Sequence, residues 1–231
     1  MTSGWLAFWD EPHSIYVNAR HKEVHYRLLA RQIAALVPSA QARVLDYGSG
    51  EALHANLIAA AAAELVLCEG APGVRGGLAA RFAGFKKIRV LAPEDVGRLP
   101  AHSFDLIVLH SVAQYLTSQE TDALFALFRR LLKSDGLLVV SDIIPADVGP
   151  LTDAWALLRL AAANGFFIAA CIGLLRTLLS DYRRVRARYG LTRYAASDMI
   201  EKLAAAGFAA HRAPGNIGHN QARAAYYARP R

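Results

Sequence analysis

Short apolar runs alternate with amphipathic stretches along most of the chain. ARVLDYG (42–48), ELVLCEG (64–70), KKIRVLA (86–92), SFDLIVLHS (103–111) and GLLVVSDII (136–144) are compact aliphatic runs. Runs of that length and composition are what strands covered on both faces require. Between them, GSGEALHANLIAAAAA (48–63) reads as a glycine turn followed by a helix, and GVRGGLAARFAG (73–84) reads as helical. SQETDALFALFRRLLKSDG (118–136) is an amphipathic helix whose start pairs Ser118 with Thr121 beside the acids Glu120 and Asp122, and whose stop is Gly136. Ahead of the first strand, Val24, Leu28, Leu29, Ile33, Leu36 and Val37 recur at helical spacing, so a helix is predicted from Ala19 to Leu36, ended by Pro38. The residues before it are aromatics and turn formers: Trp5, Phe8, Trp9, Pro12 and Asn18. After the fifth strand the alternation stops for residues 146–195. ASDMIEKLAAAGF (196–208) is then a helix ended by Gly207, and FAAHRAPG (208–215) and ARAAYYARP (222–230) are two closing strands joined by GNIGHN. This order implies an α/β fold with a mostly parallel sheet and helices on both faces. The expected parts are an N-terminal cap and helix (1–38), the core (39–145), a helical insertion (146–195), and a helix with the closing strands (196–231).

Composition narrows the class. With 231 residues, 54% apolar and 19% charged, the chain is one domain with an insertion and not a disordered polymer. A mean hydropathy of +0.21 calls for apolar surface buried in a core, a lid or a membrane surface. Two cysteines, Cys68 and Cys171, exclude a disulfide framework and a cysteine-based zinc site. His21 and His25 have metal-like spacing, but Lys22 and Glu23 between them give no zinc-helix motif, so no metal is expected. MTSGWLAFWDEPHS lacks the continuous apolar stretch of a secretion signal, and a cytoplasmic location is expected. The net charge of +7 is concentrated in residues 176–194, where Arg176, Arg183, Arg184, Arg186, Arg188 and Arg193 face one acid, Asp181. Residues 160–175, just before, carry no charge and are bracketed by Arg159 and Arg176. A spanning helix needs about 20 apolar residues, so this stretch is short for one. Two readings stand. One is a buried lid helix followed by a solvated basic helix. The other is an interfacial element over 160–194 that dips into an anionic membrane, making the protein peripheral there. Nucleic acid is not an expected partner, since no aromatic-interleaved recognition motif accompanies the arginines.

The chemistry concentrates in VLDYGSGEA (44–52), a glycine-rich turn between strand and helix that lets backbone approach a ligand. A dinucleotide fingerprint would need a third glycine where Leu53 stands, and Asp46 is unsuited to a pyrophosphate but suited to a cationic ligand end. The motif resembles the first motif of class I S-adenosylmethionine-dependent methyltransferases. Further positions agree with that family in order: Glu69 ending the second strand, Asp95-Val96-Gly97-Arg98-Leu99-Pro100, Ser103 to Val108, Val112 to Leu116, and Gly136 to Asp142. The resemblance implies a Rossmann-like fold with a seven-stranded sheet, a helical cap and a helical lid. It implies S-adenosyl-L-methionine as methyl donor and S-adenosyl-L-homocysteine as product. It further implies that Asp46 holds the methionyl amino end and that the backbone of Gly48, Ser49 and Gly50 contacts the methionyl part. Glu69, next to Gly70, would take the ribose hydroxyls, Asp95 the adenine amino group (with Glu94 as the alternative), and Val96 the ring.

Methyl transfer needs proximity and exclusion of water, and a base only where the acceptor carries a proton. Candidates at strand ends are His110, which also borders the cofactor position, with Ser111, Tyr115 and Asp142. His219 and Asn220 lie in the closing turn, and Tyr16 with His21 or His25 would cap the site. Leu109-His110-Ser111-Val112 replaces the Asn/Asp-Pro-Pro-aromatic motif of nucleic-acid base methylation, and no Pro-Cys or Tyr-x-x-x-Lys pattern occurs. An apolar small-molecule or lipid-like acceptor, methylated at O, N or C, is therefore expected. A soluble metabolite and a silent cofactor-binding scaffold are the alternatives.

Overall fold

The computed structural model describes residues 3–10, 16–178 and 190–231. Seven strands form one sheet: β1 (Arg43–Tyr47), β2 (Glu64–Cys68), β3 (Ile88–Leu91), β4 (Phe104–His110), β5 (Leu132–Ile143), β6 (Phe208–Arg212) and β7 (Ala224–Pro230). Their order is β3-β2-β1-β4-β5-β7-β6. The first five strands run parallel, β7 is antiparallel to β5, and β6 is antiparallel to β7. The order reverses between β1 and β4, so their carboxyl ends diverge into the crevice where open α/β sheets take ligands.

Side chains alternate across the sheet, and both sets are buried. Leu45, Val66, Ile107, Leu109, Leu138 and Val140 face α6 (Ser118–Leu131) and α9 (Ala196–Ala205) through Phe125, Phe128, Met199 and Leu203. Val44, Leu65, Leu67, Leu106, Val108 and Val139 face α2 (Ala19–Ala34), α3 (Ala55–Ala61) and α4 (Pro72–Phe82) through Leu29, Ile33, Ile58 and Leu78. Burial on both faces explains why these strands read as unbroken apolar runs.

Several expectations are corrected. The N-terminal aromatics Trp5, Phe8 and Trp9 lie on a helix, α1 (Ser3–Asp10), in keeping with the expected helical cap, and Trp5 is fully buried and packs on Tyr115 with ring centroids 4.7 Å apart. A further short helix, α5 (Pro93–Gly97), follows β3. α2 stops at Ala34, two residues short of Leu36. The helix after β1 is limited to Ala55–Ala61, because residues 48–54 are used by turns. α6 is capped by Thr117, not Ser118: the Thr117 side chain accepts from the Glu120 N–H, and Glu120 reaches back to the Thr117 N–H. Gly136 is not a helix stop. β5 begins at Leu132, which pairs with Phe104 across a register shift, and a Cβ on Gly136 would lie 3.1 Å from the Asp105 carbonyl oxygen. The glycine serves close strand approach.

The segment after β5 holds two helices, α7 (Pro150–Asn164) and α8 (Phe167–Leu178), joined through Gly165 in the left-handed conformation. Ala161, Phe166 and Ala170 are buried against Val17 and Val24 of the N-terminal side, and Gly173 leaves room for Val17. The arginines Arg183, Arg184, Arg186 and Arg188 lie outside the described residues. No helix among the described residues is long and apolar enough to cross a membrane.

Candidate active site

The glycine turn is built by local backbone needs. Gly48 and Gly50 have φ of +79° and +57°, a region that costs other residues strain. A Cβ on Gly48 would stand 2.3 Å from Val112 Cγ2, and one on Gly50 2.8 Å from the Tyr26 hydroxyl. The N–H groups of Gly48 and Ser49 donate to the Cys68 carbonyl at 2.8 and 3.1 Å, tying the turn to the end of β2. Glu69, the next residue, accepts from the Gly50 N–H at 2.9 Å and from the Ala71 N–H at 2.8 Å, one on each carboxylate oxygen. Arg75 steadies this corner through the carbonyls of Glu69 and Gly70.

Strand parity puts Asp46 on the α2 side of the sheet, where it is buried. Its carboxyl is pushed up to about 7, first by burial and then by the neighbouring Glu69 charge. Burial likewise raises Glu69, against the backbone donors that favour its charged form. Ser49 Oγ in the same turn is buried without a hydrogen-bond partner. A buried acid beside an unsatisfied hydroxyl in a glycine cradle is a set of groups that a ligand with a cationic and a hydrogen-bonding end would satisfy. The donor set therefore fits the methionyl end of S-adenosylmethionine. On the short helix α5, Val96 is fully buried, whereas Asp95 is exposed and paired with Arg98 at 3.1 Å. The Glu94 charge instead bears on Tyr47 and Cys68, beside the turn.

β4 register places His110 opposite Ser141 of β5, and their side chains meet at 3.0 Å between Nδ1 and Oγ. His110 is one of four imidazoles that converge from α2, β4 and the closing turn. His25 lies 6.4 Å from both His21 and His219, ring centre to ring centre, and His21 lies 6.5 Å from His219. His219 and His25 also feel the His110 charge or impose theirs on it. Burial is the main cause that lowers all four, His21 to about 4, so all are neutral near pH 7. His21 accepts from the Val17 N–H at its Nδ1, which fixes its proton on Nε2. Among the described residues these histidines form no group that could hold a metal ion.

Tyr16 sits over this cluster, 5.3 Å from His21 and 5.5 Å from His25, and shares a hydrogen bond with Tyr26. Tyr26 Oη in turn accepts from the Glu51 N–H at 3.0 Å, linking cap and glycine turn. Tyr115 is buried between Trp5 and Trp9 of α1, so its ring anchors the cap.

A second polar layer lies behind the histidines. Ser111 and Asp142 have φ of +58° and +60°, unusual for residues with a Cβ, and Ser111 Oγ donates to Asp142 at 2.8 Å. Gln114 donates to Ser111, and the Asp142 N–H donates to Asn216. Arg223 lies between Asp142, at 3.6 Å, and Asp153 of α7, at 2.8 Å, and Asn220 also donates to Asp153. This layer ties α7 to the closing hairpin. Of it, Ser111, Asp142 and Asn220 were legible as strand-end and turn residues. Gln114, Asp153, Asn216 and Arg223 carry no local sequence mark, and neither does Tyr26 beyond its place on an amphipathic helix.

The family model described as "Methyltransferase domain" matches residues 45–140. No curated protein sequence matches the chain. Among solved structures, magnesium protoporphyrin IX methyltransferase from Synechocystis PCC 6803, with bound SAH, is 16% identical, with a TM-score of 0.61 over 99% of this chain and 93% of that one. The YcgJ protein of Bacillus subtilis is 18% identical, with a TM-score of 0.56 over 81% and 70%. Human N-acetylserotonin methyltransferase, in complex with SAM, is 15% identical, with a TM-score of 0.56 over 87% of this chain and 51% of that one. The chain thus spans about half the length of the human enzyme. Fold, glycine turn and family match together define the class, the Rossmann-like S-adenosylmethionine-dependent enzymes of class I. Within it, residues 45–140, from the middle of β1 to the middle of β5, match the methyltransferase domain model.

Proposed function

We propose that this methyltransferase acts on an O, N or C atom of an apolar small molecule or lipid-like acceptor, seated beneath α7. The observation that carries the reading is a cavity of about 440 Å³ between α7 and the closing turn. Leu28, Trp155 and Leu160 give it an apolar side, and Arg159, His219 and Asn220 a polar one. His110 borders the separate cleft that contains Asp46, Gly48 and Ser49. A Cβ on Gly218, the neighbour of His219, would lie 3.7 Å from His110 Cε1, so the residues lining the cavity and those bordering the glycine cleft are close, which supports an acceptor seated near the cofactor turn.

S-adenosylmethionine, when bound, supplies an activated methyl group on a sulfonium. Asp46 would hold its amino end and Glu69 its ribose hydroxyls, since each carboxylate oxygen of Glu69 keeps a lone pair beyond its backbone bond. The protein's own work is orientation and dryness. Tyr16, Tyr26 and α1 roof the site and exclude water. A protic acceptor loses its proton as its new bond to carbon forms, and a neutral imidazole, His219 or His110, accepts that proton.

The deciding experiment incubates the purified protein with methyl-labelled S-adenosylmethionine and an extract of its source cells, then partitions the products. Label in the organic phase is the expected result. Label confined to the aqueous or macromolecular phase would overturn the apolar-acceptor reading and favour a soluble metabolite.

A further inference from the structure

We propose that α7 and α8 form a docking surface for an anionic lipid bilayer. Of the seven large apolar side chains exposed among the described residues, six belong to these two helices: Leu151, Trp155, Phe167, Ile168, Ile172 and Leu175. The exposure is deep, reaching 86% at Leu151, 76% at Ile168 and 63% at Trp155. Soluble surfaces rarely gather such residues without a partner.

The pattern is ordered along each helix. Leu151, Trp155 and Arg159 follow one another at four-residue spacing on α7. Ile168, Ile172 and Leu175 share a stripe of α8 that Arg176 ends. The opposite sides are packed, with Ala161, Phe166 and Ala170 buried against the N-terminal segment. The exposed apolar stripes are therefore left over after the helices have found their place in the fold.

Charge selects the occupant. Arg159, Arg176 and Arg20 are exposed, and Arg20 donates to the Asn164 carbonyl at the end of α7. The one acid of the pair, Asp153, turns inward to Arg223 and Asn220. The outward charge of these described residues is thus positive. Apolar side chains rimmed by arginines complement acyl chains beneath anionic headgroups. A second copy of the chain would bring like charges together across a two-fold contact. Trp155 and Arg159 also line the acceptor cavity, so a molecule leaving the bilayer meets it directly. That last point rests on the proposed acceptor, whereas docking itself is measured without turnover.

The test is flotation of the full chain with phosphatidylglycerol–phosphatidylcholine vesicles, compared with pure phosphatidylcholine vesicles, at low and at high salt. Binding to the anionic vesicles that weakens with salt is expected. The triple variant Ile168→Glu, Ile172→Glu, Leu175→Glu should lose about tenfold or more of the floated fraction, since charges replace the inserted side chains. Its calorimetric affinity for S-adenosylmethionine should stay that of the wild type, which separates docking from the cofactor site. Should that variant misfold, Arg159→Glu with Arg176→Glu gives the same readout through charge. Brominated acyl chains should quench the fluorescence of the wild type more than that of Trp155→Phe. A wild type that never floats at low salt overturns the proposal, as do variants that float like the wild type. A dimer in sedimentation equilibrium that the triple variant dissociates would also overturn it, since a second copy then covers the face.

Discussion

Asp46 is a buried acid without a hydrogen-bond partner among the described residues, held up to about 7 by burial and by Glu69. A cationic ligand end favours its charged form, so binding must draw its proton off. The affinity for S-adenosylmethionine should therefore rise with pH and level off above about 7, and calorimetry in buffers of different ionisation enthalpy should show proton release. Asp46→Ala and Glu69→Ala should each weaken binding by about 1–3 kcal/mol through lost charge-assisted hydrogen bonds. Asp95→Ala should weaken it less, because that carboxylate is exposed and already paired with Arg98. Unchanged affinity in Asp46→Ala and Glu69→Ala alike would remove both residues from the site. Asp46, Glu69 and the glycines were legible because strand ends and turns mark themselves locally. The Arg223 contacts were not, since Asp153 lies 70 residues away in sequence.

At the level of elements, the cap of α6 shows how local chemistry sets a boundary. Thr117 and Glu120 satisfy each other's backbone donors, and reading the pattern one residue late gave Ser118. Both hydroxyl residues suit a cap by type, and only the backbone angle at Thr117, extended with ψ of 163°, decides between them. Thr117→Ala should lower stability by about 1 kcal/mol, read as a shift in the urea midpoint, with Ser118→Ala near neutral. α1 carries the opposite lesson. Its helix is short, and its position is set by Trp5 and Trp9 against Tyr115, a contact between distant parts of the chain. Short helices are marginal alone and are fixed by the packing of one face.

Across the whole molecule, four depressed histidines sit where α2, β4 and the closing turn meet. The folded chain prefers them neutral, while unfolded imidazoles titrate near 6.5. As pH falls below about 6.5 the unfolded state takes up protons first. The stability they contribute is therefore present above that pH and is lost on the way down to about 4, the value for His21. Asp142 works against the loss at His110 and His219, whereas Arg223 adds to it. The raised acids Asp46 and Glu69 are relieved of their strain over the same range and offset part of it. Thermal unfolding should show a melting temperature that falls from pH 7 to pH 5, and His21→Gln with His25→Gln should flatten the curve. An unchanged slope in that double variant would place the acid sensitivity elsewhere.

The sequence by itself determined the alternation of strands and helices, the glycine turn and the acid that ends β2, because each depends on residues within a few positions of one another. It also determined that an uncharged stretch meets a basic one after β5, since charge and hydropathy are properties of composition. Only the tertiary structure decided that Asp46 and His110 share the face covered by α2, which follows from strand register and parity. It alone gathered four histidines from three elements, placed Asp153 against Arg223, and left the apolar stripes of α7 and α8 facing outward. These are consequences of which surfaces pack first, and packing is fixed by the whole set of buried contacts and not by any local stretch of sequence.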